Sequence, residues 1–170
     1  MIYLNLGVDF ASDDFKAGLA RGLRFFAENP GTYAVHCTEG KDRAGFTSAL
    51  LECLMGATID EVVEDYMETY INYYGVEKGS ENYNAVVNNN LIKALNTTFK
   101  VDDVYKADLA AEAAAFLMED AGLTADEVAA LKGKLTITLQ AVYEAGEDFS
   151  ALLGNHESVY VQATSNGKIL

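Results

Sequence analysis

The sequence predicts an α/β fold, in which helices flank a central sheet and dominate the second half of the chain. A short run of β-branched and aromatic residues, Thr32 to His36, predicts a buried strand. Apolar residues at helical spacing predict helices on both sides of it, beginning with Asp13 to Glu28. Half of the 170 residues are apolar and 22% are charged, which is typical of a folded globular protein. No linker rich in proline, glycine or serine divides the chain, so we expect one domain over residues 1–170, with 135–170 poorly assigned.

The first half of the chain contains clear helix starts and stops. Ile2 to Leu6 alternates weakly and predicts a short strand or an extended segment. Ser12 predicts the N-cap of the first helix, and Asn29-Pro30-Gly31 predicts its end. After a turn, an apolar helix is expected from Phe46 to Met55, followed by a helix from Thr58 to about Tyr74.

The second half is predicted to be mostly helical, with strands in the last segment. Its alanine density and capping residues favour helices, whereas its asparagine-rich part favours a loop. The expected elements are a loop over 75–90 with a short helix at 83–87, helices at 91–97, 102–122 and 124–131, and strands at 135–142 and 159–163.

The charge balance excludes several classes of partner. There are 26 acidic and 12 basic residues, giving a net charge of −14. Such a surface repels nucleic acid and anionic membrane, so an anionic ligand would need a local positive pocket. No apolar run is long enough to span a membrane, and the first residues do not resemble a signal peptide. With only two cysteines and therefore no disulfide framework, we expect a cytoplasmic protein.

One stretch, HCTEGKDRAG at residues 36–45, carries the chemistry. It places Cys37 at the end of the predicted strand and Arg43 at the start of the next helix. Backbone N–H groups of such a turn and the helix dipole form a cradle for an anion, and Gly40 lets the backbone close around it. Arg43 can bind two phosphate oxygens, and the same environment favours the Cys37 thiolate. This arrangement predicts a nucleophile beneath a phosphate monoester, without a metal ion or another cofactor.

This loop resembles the signature loop of cysteine-dependent protein phosphatases, in which HC is followed by five residues and arginine. Its GKDR form resembles a bacterial tyrosine phosphatase family that includes dual-specificity and phosphoinositide-active members. The likeness continues through GFTSALLECLMGATIDEVVEDYMETY and GLTADEVAALKGKL, covering roughly residues 30–134. The resemblance implies a phosphoric monoester hydrolase that acts through a cysteinyl phosphate. It also implies a phosphotyrosine protein or a phosphoinositide as substrate.

The resemblance assigns a role to each loop residue. Cys37 would be the nucleophile, Arg43 would hold the phosphate and the transition state, and His36 would support the loop and the thiolate by hydrogen bonds. Lys41 would add a second cation, although a solvated surface lysine is an equal alternative, and Glu39 disfavours a polyanionic substrate. The implied phosphate-binding residues are Cys37, Thr38, Glu39, Gly40, Lys41, Asp42 and Arg43.

The leaving group also needs a proton donor. Many related phosphatases take the proton from a Trp-Pro-Asp loop, but this chain has no tryptophan and a single proline. We therefore expect Asp42 to be the general acid, with Asp9 as the alternative. Asp13 and Asp14 are further candidates, but their position at a helix start favours a capping role.

The chain differs from the family it resembles in two respects, which leave open whether it is an active enzyme and what completes its sheet. Ala44 stands where relatives carry Ser or Thr, and the missing hydroxyl predicts slower hydrolysis of the cysteinyl phosphate. Relatives also carry a much longer segment before the loop, whereas 36 residues precede Cys37 here. We therefore expect a sheet that is incomplete on its N-terminal side and is completed by an upstream segment, a second copy in a homodimer, or the last strands. The alternative to an enzyme is a catalytically weak or inactive phosphate-binding or regulatory module.

Residues outside the loop are expected to be structural. Cys53 lies on the apolar face of a helix and is expected to pack in the core. The tyrosines at 66, 70, 73 and 74 partly follow helical spacing, which also favours packing. His156 has no second ligand at metal spacing and is expected to be a surface residue.

Overall fold

The regular structure around the loop is helical. The computed structural model describes residues 2–31 and 33–135, and in these ranges every regular element is a helix. Two of the helices contain a wider π-helical segment, at 87–92 and 116–120. The helices are α1 (Asp13–Glu28), α2 (Arg43–Leu54), α3 (Ile59–Tyr74), α4 (Glu81–Val86), α5 (Lys93–Phe99), α6 (Leu109–Ala115) and α7 (Ala125–Leu135).

Helix α1 has the bounds that the sequence predicts. The Ser12 hydroxyl accepts a hydrogen bond from the Phe15 N–H at 3.2 Å, which satisfies one of the free donors of the first turn. The helix ends where the backbone and the side chain of Asn29 donate to the Phe25 carbonyl, just before Pro30. Leu19 and Leu23 follow Phe15 on the buried face. The prediction from capping residues and periodicity is confirmed.

Helices α3 and α7 begin with reciprocal capping boxes. In α3, the Thr58 hydroxyl accepts from the Glu61 N–H while the Glu61 carboxylate accepts from the Thr58 N–H. Thr124 and Glu127 make the same pair of bonds before α7. Glu127 also accepts from Arg24 Nε at 3.0 Å. This bond attaches α7 to α1, so the capping residue also fixes the position of its helix.

Helix α2, which follows the loop, is the most deeply buried element and packs against α3 and α6. Near its start, the Phe46 ring stacks on Phe10, with ring centroids 4.1 Å apart. This contact joins the chain before α1 to the first turn of α2, beside the loop. The largest fully buried side chains include Phe15, Leu23, Phe46, Leu50, Leu54, Met67, Leu91, Leu95, Leu117 and Leu131.

The helices in the second half differ in their bounds from the sequence prediction. The expected loop over 75–90 is only six residues long, because Ser80 caps α4 and helical backbone continues through the π-helical segment into α5. The helix predicted from Asp102 begins instead at Leu109, where the Asp108 carboxylate accepts from the Ala111 N–H. High alanine content predicted that a helix is present, but it did not identify Asp108 as the capping residue at which the helix starts.

The predicted central-sheet α/β fold is wrong for the described residues. The segment at 33–37 is extended, but it forms no ladder, and Val35 is 42% exposed rather than buried. Ile2 to Leu6 is likewise extended without a strand partner in the described chain. A β-rich composition gives an extended backbone, but a strand needs a neighbour that pairs with its N–H and C=O groups.

Both extended segments pack against helix α1 and not against a neighbouring strand. Leu4 and Leu6 lie against Gly22 and Gly18, whose lack of side chains leaves room for them on the helix. From the other segment, the Tyr33 ring stacks on Phe26 at 4.4 Å. The loop is therefore held by contacts with a helix and not by a sheet. The predicted strands at 135–142 and 159–163 lie outside the described residues, apart from the helical Leu135.

Candidate active site

The loop between the second extended segment and α2 surrounds the sulfur of Cys37. Gly40 adopts a positive φ of 80°, a conformation that side-chain-bearing residues rarely adopt, and this turns the chain back toward the sulfur. Cys37 Sγ accepts hydrogen bonds from the backbone N–H groups of Ala44, Glu39 and Gly40. Two of these donors belong to the turn and one to the first turn of α2, as expected for an anion cradle.

These contacts lower the pKa of the Cys37 thiol below its ordinary value. Burial is the largest single influence and acts in the opposite direction, because it disfavours the charged thiolate. The hydrogen bonds from Ala44, Glu39 and Gly40 outweigh it together with the positive charge of Arg43. The sulfur therefore carries more thiolate at neutral pH than an ordinary cysteine does.

Arg43 is the first residue of α2, and its guanidinium is held at two of its three nitrogens. Nη1 donates to the Leu6 carbonyl at 3.2 Å, and Nη2 donates to the Thr38 hydroxyl at 3.1 Å. Nε is buried and has no acceptor among the described residues. A buried donor without an acceptor is costly, so this N–H favours an anionic ligand that would accept from it.

A cavity of about 380 Å³ adjoins the loop and brings together the two proton-donor candidates. Asp42 and Asp9 both line it. Asp42 occupies the N-cap position of α2 but makes no capping hydrogen bond with its side chain. Asp9, in contrast, accepts from the Ala11 N–H at 3.2 Å. We call this space the loop cavity; Tyr66, Asn90 and Lys93 also line it.

The remaining acidic candidates lie elsewhere. Asp13 and Asp14 are exposed in the first turn of α1, and Asp13 pairs with Lys16 at 3.6 Å. Neither lines the loop cavity. Their position matches the helix-start alternative that the sequence offered.

His36 does not contact the loop in the manner that the resemblance implies. Its side chain is exposed and makes no hydrogen bond to any described residue. Together with Cys37 and Arg43 it lines a second, mainly apolar cavity of about 520 Å³ between the two extended segments and α1. The loop is instead connected to the rest of the protein through Arg43 and Leu6.

Lys41 and Glu39 form an ion pair at the opening of the loop. Lys41 Nζ lies 3.2 Å from the Glu39 carboxylate. It also lies over the rings of Tyr74 and Tyr70, 5.3 and 6.0 Å from their centroids. Lys41 therefore lies against three neighbouring side chains and does not extend freely into solvent.

Sequence reasoning missed the contribution of α3 to the site. Tyr66 lines the loop cavity, and Tyr70 and Tyr74 follow it one and two helical turns later, on the same side of α3. A Cβ on Gly45 would lie 3.0 Å from the Tyr66 ring, so this glycine lets the ring approach the loop. The four-residue spacing of these tyrosines was the available signal, but spacing alone does not separate a site from a core.

The described residues contain no group of three or more His, Cys, Asp or Glu side chains that could hold a metal ion. Within the same ranges no helix combines the length and the apolar character needed to cross a membrane.

A cysteine that accepts several backbone hydrogen bonds beside an arginine with a buried, unpartnered Nε defines a class of anion-binding, nucleophilic sites. Comparison with protein families agrees with this class and makes it specific: the model of the tyrosine phosphatase family matches residues 6–137. The chain belongs to the tyrosine phosphatase family, and the matched region contains the loop, the loop cavity and helices α1 to α7. Searches of curated proteins and of solved structures gave no match.

Proposed function

We propose that this protein is a phosphoric monoester hydrolase, a protein tyrosine or dual-specificity phosphatase that acts through a cysteinyl phosphate. The observation that carries the proposal is the environment of Cys37. Its sulfur accepts three backbone N–H groups and its thiol pKa is lowered, while the neighbouring Arg43 has one buried N–H without an acceptor among the described residues. A phosphate group placed over the sulfur would supply that acceptor.

In the proposed reaction the Cys37 thiolate attacks phosphorus opposite the leaving oxygen. A P–S bond forms, the P–O bond to the leaving group breaks, and the leaving oxygen takes a proton from a carboxylic acid. Water then attacks the cysteinyl phosphate, the P–S bond breaks, and inorganic phosphate leaves as the thiolate is restored. The attacking water returns a proton to the carboxylate. Arg43 and the loop N–H groups stabilise the charge on the transferring phosphoryl group.

Asp42 is the better candidate for the proton donor. Asp42 and Asp9 both line the loop cavity, whereas Cys37 and Arg43 line the second cavity. Asp42, unlike Asp9, is itself a residue of the loop that contains Cys37 and Arg43. The Asp9 side chain already accepts a hydrogen bond from the Ala11 N–H, whereas the Asp42 side chain makes no capping bond. The Asp42 side chain is therefore not used as a helix cap, which favours it over Asp9 as the proton donor.

The second candidate function, a phosphate-binding module with little turnover, is favoured by one observation. Ala44 donates its backbone N–H to the Cys37 sulfur but has no hydroxyl to add a second bond. A thiolate that receives fewer hydrogen bonds is a poorer leaving group in the second step. Such a module would form the cysteinyl phosphate but release phosphate slowly.

Hydrolysis of an aryl phosphate tests the proposal against this alternative. The parent chain should release phosphate continuously, and Cys37→Ser should lower kcat by at least about a thousandfold, because its hydroxyl is a far weaker nucleophile. Cys53→Ala is the matched control, since Cys53 is buried in the core, and it should keep most of the activity. Tight vanadate binding without hydrolysis by the parent would support the module instead. Equal activity in Cys37→Ser would contradict both candidates.

A further inference from the structure

The opening of the loop carries a second charged cluster beside the phosphate cradle. We call Glu39, Lys41, Tyr70 and Tyr74 the rim cluster. Lys41 Nζ lies 3.2 Å from the Glu39 carboxylate and 5.3 Å from the centroid of the Tyr74 ring. Glu39 also makes a side-chain hydrogen bond with Tyr74. The other three members of the rim cluster, Glu39, Tyr70 and Tyr74, therefore restrict the position of the Lys41 ammonium group.

Both charged members of the cluster stay ionised at neutral pH. The hydrogen bond from Lys41, followed by that from Tyr74, lowers the pKa of the Glu39 carboxyl. The hydrogen bond to Glu39 raises the pKa of Lys41 strongly, against the opposing influence of burial. The pair adds no net charge to the opening of the loop, although it includes one of the loop's two cations.

Arg43 differs from Lys41 in what it offers a ligand. Arg43 Nε has no acceptor among the described residues, so one phosphate bound over Cys37 would satisfy it. Lys41 already has a carboxylate partner and two aromatic faces. A second phosphate on the same substrate would have to displace Glu39 from Lys41 and would lie beside the Glu39 charge.

We propose that Glu39 is a specificity-determining residue, which holds Lys41 and restricts the site to substrates with a single phosphate on an aromatic leaving group. The inference rests on the proposed function, because it concerns what lies next to the phosphate in the cradle. The exposed ring of Tyr74 in the rim cluster, against which the exposed Tyr73 ring packs, offers packing surface to an aromatic group, as in phosphotyrosine. Glu39 therefore selects against adjacent phosphates, and in particular against multiply phosphorylated inositol head groups.

The test measures binding of two probes in the Cys37→Ser background, in which neither probe is consumed. The probes are phenyl phosphate, with one phosphate, and a water-soluble inositol bisphosphate with adjacent phosphates. The readout is the ratio of their dissociation constants from calorimetry. Glu39→Gln should lower the dissociation constant of the bisphosphate about tenfold relative to that of phenyl phosphate, because Lys41 gains a charge-assisted bond to the second phosphate. Adding Lys41→Gln should return the ratio to the parent value.

Glu64→Gln is the matched control. Glu64 also pairs with a lysine, Lys78, but on an exposed part of α3 away from the loop, so its loss should leave the ratio within about twofold. A ratio that does not move in Glu39→Gln overturns the inference. The inference is also overturned if Lys41→Gln alone raises the dissociation constant of the bisphosphate tenfold relative to that of phenyl phosphate. Lys41 would then bind the second phosphate even while Glu39 is present.

The outcome is separable from that of the proposed function. If the parent hydrolyses aryl phosphate and the ratio stays constant, only the role of Glu39 fails. If the ratio moves but the parent shows no hydrolysis that depends on Cys37, the role of Glu39 holds and the enzymatic proposal fails. If no variant binds either probe, the loop is not a phosphate site and both fail.

Discussion

At the scale of single residues, the two cysteines show how local environment sets reactivity. Cys37 accepts three backbone hydrogen bonds and lies beside Arg43, so its pKa is lowered despite partial burial. Cys53 lies inside α2, where burial, followed by the charge of Glu52, raises the pKa of its thiol to about 12. The thiolate is therefore favoured at Cys37, and the neutral thiol is favoured at Cys53.

Alkylation should report this difference. In a Cys53→Ala chain, the rate of Cys37 modification by iodoacetamide should rise with pH through an inflection below about 8.5, the ordinary cysteine value. Arg43→Gln should move the inflection upward, because it removes the cation beside the thiolate. The rate can be followed by mass spectrometry of the intact chain. An inflection at or above the ordinary value would mean that the loop does not stabilise the thiolate.

At the scale of elements, α2 joins the site to the core through groups at its two ends. Its first residues supply Arg43 and the Ala44 N–H to the loop. Near its other end, Glu52 is mostly buried, and burial, together with Asp65 on α3, raises its pKa to about 8. A neutral Glu52 carboxyl is thus part of the contact between α2 and α3 at physiological pH.

This contact should make stability depend on pH. The folded state holds the Glu52 proton more tightly than the unfolded chain, whose carboxyl has an ordinary pKa of about 4.3. The stabilisation is therefore complete below about 4.3 and is lost as the pH rises toward about 8. Glu52→Gln, which stays neutral, should raise Tm by about 3 °C relative to the parent at pH 8 but have little effect near pH 4.

Thermal unfolding followed by circular dichroism at several pH values measures the effect. Glu77→Gln is the control, because Glu77 is exposed and makes no side-chain bond to a described residue. If the Tm difference between Glu52→Gln and the parent is the same at pH 4 and at pH 8, the pKa of Glu52 is not raised in the folded state.

The helices were predictable to different degrees for identifiable reasons. The bounds of α1 followed from Ser12 and Asn29-Pro30, and the capping pair Thr58 and Glu61 marked the start of α3. These signals are local, so the sequence contains them in full. The start of α6 was misplaced because alanine-rich sequence favours helix before the Asp108 cap as well as after it.

The predicted sheet was wrong because strand pairing is not a local property. Residues 33–37 have the composition of a strand, and their extended backbone agrees with it. Whether they join a ladder depends on residues distant in sequence, and here the neighbouring surface is the α1 helix. The local geometry of the loop was more predictable, since Cys37, Gly40 and Arg43 lie within a few residues of one another. The tyrosines of α3 and the Leu6 carbonyl reach the site only through tertiary packing.

At the scale of the whole molecule, one small region differs in charge from the rest. The chain has a net charge of −14, yet the loop concentrates backbone N–H donors and Arg43 around one sulfur. The acidic surface opposes nonspecific binding of anions, and in the proposed function a single phosphate binds at the cradle. Of the cations at the loop, Lys41 is paired with Glu39, so the proposed phosphate binding would depend mainly on Arg43 and the backbone N–H groups.

The most direct test of this account is to look for the phosphoryl group on the enzyme. The chain is mixed with an excess of aryl phosphate, quenched in acid during turnover, digested, and analysed by mass spectrometry under conditions that preserve P–S bonds. The account predicts one added phosphoryl group on the peptide that contains Cys37 and none on the peptide that contains Cys53. Hydrolysis with no phosphoryl group on Cys37 at any quench time, undiminished in Cys37→Ser, would contradict it.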